Sequence, residues 1–131
     1  DAYHRFEQNI RLTGFQPHLH NRGKRQCIEA IYPDGNVESL SCADWDFGWH
    51  IVYNYEDEVQ PLLPKGTILH TITWHDNSRA NRWNPDPRNW AGFGQRSSDD
   101  MSFTWTSWFE LDDEAFEAAL KERLSLNAND N

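Results

Sequence analysis

The chain has 131 residues, enough for one domain with its own core and too few for two. Hydrophobic residues make up 37% and aromatic residues 14%, seven of them tryptophans, so a disordered chain is excluded. A formal charge of −9 argues against nucleic acid or an anionic membrane as partner, and no apolar run approaches the roughly 18 residues of a membrane span.

Asp1 opens no signal-peptide pattern, and the chain is expected to begin partway through a longer protein. Weak alternation through Phe6, Ile10 and Leu12 makes the first fifteen residues an edge strand or an arm. Residues 26–32 and 37–42 form a hairpin around the turn signal Pro33-Asp34-Gly35-Asn36. A two-residue Asp34-Gly35 turn sets Cys27 directly opposite Cys42, whereas a three-residue loop with Gly35 left-handed moves the register by one. The cysteines are therefore either a disulfide, which implies an oxidising compartment, or two small buried thiols.

Residues 45–55 read as a third strand, with Trp45, Phe47, Trp49 and Ile51 on one face. An acidic, proline-containing connection over 56–64 follows. The strand after Lys65-Gly66 places Ile68, His70, Ile72 and Trp74 on a common face, with His70 as a satisfied core residue. Asn, Asp, Pro, Gly and Ser dominate residues 76–100, a loop of a length that usually serves function. The last strand spans 101–109, with Met101, Phe103 and Trp105 on one face. Asp112 or Asp113 then caps a helix with apolar positions Phe116, Leu120 and Leu124, before a frayed Asn-rich end. The expected fold is an all-β, antiparallel jelly-roll β-sandwich with a short C-terminal helix. Residues 1–110 form the sandwich and 111–131 the helix and tail.

Three side chains suggest metal chemistry. His18 and His20 lie at i, i+2, so on a strand both imidazoles point to one side, roughly 6–7 Å apart at Cα, while Leu19 points into the core. Met101 is the only methionine, and a thioether beside imidazole is a soft donor set that favours copper(I). The remaining histidines read otherwise: His75 bonds within its loop, His50 faces away from the tryptophans in a surface role or one behind the metal ligands, and His4 sits on a mobile arm or folds over the site. Most tryptophans belong to the core, with Trp83 and Trp90 the candidates for an exposed surface. Asp99 and Asp100 are adjacent and diverge on a strand, which argues against a two-carboxylate hydrolase.

These residues sit in an ordered series of blocks. The series runs Pro17-His18-Leu19-His20-Asn21-Arg22-Gly23-Lys24, Tyr32-Pro33-Asp34-Gly35, Trp45-Asp46-Phe47-Gly48-Trp49, Pro64-Lys65-Gly66-Thr67, Asp76-Asn77-Ser78, Asn84-Pro85-Asp86-Pro87 and Ser98-Asp99-Asp100-Met101. The series, over roughly residues 15–105, resembles the C-terminal domain of the copper type II, ascorbate-dependent monooxygenases, in particular their bacterial branch. The resemblance implies one copper held by His18, His20 and Met101, which binds and activates dioxygen to hydroxylate a C–H bond. Asp99 or Asp100 would steady an imidazole from behind. It also implies ascorbate or another electron donor, a second copper or cytochrome-type domain, a small-molecule or peptide substrate, and a periplasmic or secreted location.

The chain departs from the family pattern in two ways. It carries no second paired-histidine site, so it is not expected to be a complete enzyme alone, and the family's domains begin some strands before Asp1, so its first sheet is expected to be incomplete. Two other classes stay open: a non-catalytic copper-binding, electron-transfer or structural module of a larger assembly, and an aromatic-rich binding module with a vestigial site.

Overall fold

Alternating apolar and polar side chains commit most of the chain to strands, since a half-buried sheet face requires period two. The computed structural model describes residues 1–129, without the side chains of Asn127 and Asn129. Its strands are β1 (Ala2–Arg5), β2 (Asn9–Leu19), β3 (Gly23–Ile31), β4 (Val37–Asp44), β5 (Tyr53–Asn54), β6 (Leu62–Leu63), β7 (Ile68–His75) and β8 (Ser102–Leu111), followed by α1 (Asp113–Asn129). One antiparallel sheet has the order β1-β7-β3-β4. In the other, β2 is flanked by β8 along one side and by the short β5 and β6 along the other. This is the all-β antiparallel sandwich with a C-terminal helix that the pattern predicts.

Between the sheets, Phe6, Ile10, Leu12 and Phe15 pack against Ile28, Ala30, Ala43, Leu63 and Leu69. Each large side chain buried there contributes about 1.5–3 kcal/mol. Residues 9–15 are thus no edge or arm. They belong to the central strand β2, and of the first fifteen residues only those of β1 lie at a sheet edge.

The hairpin joins both register alternatives. Gly35 is left-handed (φ 89°), its N–H donates to the Tyr32 carbonyl, and Ile31 pairs with Val37, one residue off the two-residue-turn register. A bulge between Ile28 and Glu29 restores that register, so Cys27 faces Cys42 and the two form a disulfide. Cys42 is exposed, which removes the buried-thiol reading.

Three expectations fail for identifiable reasons. Residues 45–55 form no continuous strand: the chain turns between Asp46 and Trp49, and only Tyr53–Asn54 pairs with β2. The Asp46 carboxylate accepts the Gly48 N–H at 2.9 Å, a local bond that competes with a strand ladder. In β7 the buried positions are Leu69 and Thr71, so the face of Ile68, His70, Ile72 and Trp74 points away from the core. Both phases of β7 carry apolar side chains, so alternation alone does not choose between them. His70 is half-buried there, stacked on Tyr3 and bonded to the Glu29 carboxylate at 2.7 Å.

Third, of the seven tryptophans only Trp45 is buried, while Trp83 is half-buried and the others, Trp90 included, are exposed. On β8 the inward positions opposite Phe15, Pro17 and Leu19 are Thr106, Thr104 and Ser102, which leaves Phe103 and Trp105 outside.

Asp112 caps α1, accepting the Ala115 N–H at 2.8 Å. Phe116 and Ala119 are buried, Leu120 is half-buried and Leu124 is exposed, so the first turns anchor the helix. The expected frayed end does not begin before Asn129, and its last two residues lie outside the described ones.

Candidate metal centre

The long β2–β8 ladder builds the site. His18 pairs with Phe103 and Leu19 with Ser102; one residue further, His20 stands opposite Met101, and its N–H donates to the Met101 carbonyl at 3.3 Å. Residues directly opposite in an antiparallel pair share a face. That face carries His18, His20, Met101, Phe103 and Trp105, with Leu19 fully buried behind it. The end of the ladder therefore sets the His18 and His20 rings together and brings the Met101 main chain against His20, although Met101 lies about eighty residues away in sequence.

The chain reverses just after His20, where the Gly23 N–H donates to the His20 carbonyl at 2.9 Å. A Cβ on Gly23 would stand 2.4 Å from the Leu19 Cβ, so only glycine accommodates this close reversal. Arg22, 4% exposed, locks the turn to both ends of the 76–100 loop. Its Nε donates to Asn77 Oδ1 at 2.8 Å, another guanidinium N–H donates to the Ser98 carbonyl, and the Asp100 carboxylate lies 3.7 Å away. The arginine of the first block thus fixes the segment that delivers Met101.

His20 is buried and His18 half-buried, with ring centroids 5.5 Å apart. His20 Nδ1 lies 3.2 Å from the Asp99 carbonyl; a carbonyl only accepts, so Nδ1 carries the proton and Nε2 keeps a free lone pair. Metal-binding imidazoles are typically held in this way. The His18 ring packs between Trp45 and Trp105, at 6.0 and 5.6 Å. Its pKa is lowered, first by burial and then by His20 and His50, which favours the neutral form that can ligate.

The expected role of Asp99 and Asp100 changes. The Asp99 carboxylate is taken by Arg96, which holds its pKa below the usual range, and Asp100 faces Arg22. Support for His20 comes from the Asp99 main chain.

Two histidines missing from the expected site also stand beside it. His75 Nε2 donates to the Met101 carbonyl at 3.3 Å, and the His50 ring lies 5.7 Å from His18 and 4.7 Å from Trp45. The expectation that His50 faces away from the tryptophans is therefore corrected: the Asp46–Trp49 turn swings it back over Trp45. The His4 ring packs on Phe6 and Trp108 instead of covering the site.

Among the described residues, no three His, Cys, Asp or Glu side chains stand close enough together to hold a metal ion as they are placed. The expected set needs only two such side chains, with the thioether as third donor. His18 and His20 suit copper in three respects: a shared face, a steadied tautomer at His20 and a disfavoured proton at His18. No family model matches the chain, and neither a curated protein nor a solved structure is similar to it.

Proposed function

We propose that this chain is the dioxygen-handling copper domain of an ascorbate-dependent C–H hydroxylating monooxygenase, working with a second copper or cytochrome-type domain that delivers electrons. The observation that supports it best is the close of the β2–β8 ladder, where the His18 and His20 rings lie 5.5 Å apart and the His20 N–H meets the Met101 carbonyl. Copper held by these three side chains would supply dioxygen activation and C–H hydroxylation.

The surrounding residues prepare that chemistry. Burial lowers the His18 pKa and so favours its neutral imidazole, and the Asp99 carbonyl presents His20 with Nε2 free. Met101 adds a polarisable sulfur that stabilises the reduced ion. Trp45 and Trp105 pack against His18, while the exposed Phe103–Trp105 edge leaves room for a small-molecule or peptide substrate. The disulfide fits a periplasmic or secreted setting. No described helix is long and apolar enough to cross a membrane.

Copper titration followed by dioxygen uptake tests the reading. One equivalent of copper should bind, and with ascorbate and the partner domain the loaded chain should consume dioxygen, both lost in a His18→Ala, His20→Ala double variant. Copper binding without dioxygen uptake would favour the electron-transfer or structural reading. No copper binding would refute both.

A further inference from the structure

We propose that the long loop before β8 holds a separate binding site for a neutral carbohydrate, independent of the copper reading above. Arg22 and residues 85–99 line a cleft of about 520 Å³, which falls within the roughly 300–1,000 Å³ of small-ligand sites. Its wall carries Trp90 and Phe93, 90% and 80% exposed. Single exposed aromatics are ordinary, but these two share one cleft, and Trp90 is held in place. A Cβ on Gly92 would stand 2.8 Å from Trp90 Cζ3 and 2.9 Å from Cη2, so the six-membered ring of the indole rests against Gly92. The Gly92 carbonyl accepts the Asp100 N–H at 2.9 Å, and the Gly94 N–H donates to the Asp100 carbonyl at 3.1 Å. The loop thus presents an indole face to solvent from a fastened backbone, which lowers the ordering cost of binding.

The polar groups of the cleft select the ligand. Arg22, Arg88 and Arg96 face Asp100, Asp86 and Asp99, one for one. Arg96 donates through Nε and Nη2 to Asp99 Oδ1, at 3.2 and 2.8 Å, and Asn89 Nδ2 donates to Asp86 at 2.8 Å. With its charges balanced, the cleft offers a phosphate or an ammonium group no spare counter-charge. The Arg96 side chain nevertheless stays 82% exposed, so the guanidinium N–H groups that Asp99 does not take are open to a ligand. Planar hydrogen-bonding groups beside an aromatic face match a sugar ring. Its hydroxyl edge pairs with the polar groups, and its C–H face, slightly positive, stacks on the electron-rich indole. A wholly apolar ligand would bury those polar groups without partners.

The test screens the metal-free chain on an array of neutral and acidic oligosaccharides, then measures the best neutral binder by calorimetry. A neutral glycan should be retained, and Trp90→Ala should weaken its binding at least about tenfold, as removal of an aromatic anchor does. Trp90→Tyr keeps a stacking face and should recover part of the loss. Trp49→Ala, which removes an exposed indole outside the cleft, should bind like the wild type. An array that retains no neutral glycan, a preference for acidic glycans, or unchanged binding in Trp90→Ala would each overturn the proposal. No copper is present in these measurements, so each outcome leaves the His18–His20 centre to its own test.

Discussion

Replacing Arg22 by methionine removes a buried cation while keeping most of the side-chain volume. At 4% exposure its guanidinium donates to Asn77 and Ser98 and faces Asp100. Asn77 keeps a donor in Asn84 Nδ2, at 2.8 Å, but the Ser98 carbonyl loses this one. Hydrogen bonds to charged groups contribute about 1.5–3 kcal/mol each. The Asp100 pairing, at 3.7 Å with a half-exposed carboxylate, adds about 1 kcal/mol or less. The variant should therefore lose about 3–5 kcal/mol, the range found when one side of a buried pair is removed. For a chain of this size that is a Tm drop on the order of 10–20 °C. Urea unfolding measures the loss. Hydrogen exchange localises it, and should rise across 76–100 and at the His20 N–H. Arg22→Lys should recover only part, since an ammonium cannot span both acceptors as a planar fork does. A loss under about 1 kcal/mol, with exchange over 76–100 unchanged, would refute Arg22 as the tie between turn and loop.

Three further outcomes follow from the same geometry. Replacing Cys27 and Cys42 together by alanine opens a loop of fifteen residues' separation and should cost about 3 kcal/mol in urea unfolding, with no alkylation of the unreduced wild type. Gly23→Ala drives a Cβ into Leu19 and should destabilise by about 1–3 kcal/mol; an unchanged melting curve would contradict the close reversal. The folded pKa of His18 lies below its ordinary value of 6.5, so the unfolded chain takes up the proton first. Its contribution to stability is present above pH 6.5 and is lost as pH falls through the folded value. His18→Gln should flatten the fall in urea midpoint over that window, and an unaltered profile would count against the shift.

The sequence made some of this legible and hid the rest for physical reasons. The His18–His20 spacing places two imidazoles side by side, 5.5 Å apart, because period two on a strand survives without knowledge of the fold. Of the two readings open for Cys27 and Cys42 the disulfide holds, by a route the turn alone does not reveal, because the bulge at Ile28/Glu29 compensates for a turn one residue out of step. The phase of β7 was not readable, since Leu69 and Ile72 are both apolar and only the sandwich selects Leu69. The tryptophans misled because the interior of β8 is given to Ser102, Thr104 and Thr106. His50 and His75 reach the site through an Asp46-centred turn and the far end of β7, neither of which a spacing rule reports. The long loop was evident from composition, but the role of Arg22 in clamping it depends on burial.

The central question is whether Met101 completes a copper site with His18 and His20. X-ray absorption of the copper(I)-loaded chain addresses this directly, because the other two sulfurs are joined in the Cys27–Cys42 disulfide and Met101 is the only methionine. The expected result is one copper per chain with nitrogen ligands and a single sulfur, and loss of that sulfur in Met101→Ile while the fold persists. A copper shell without sulfur, or one whose sulfur survives that substitution, would contradict it.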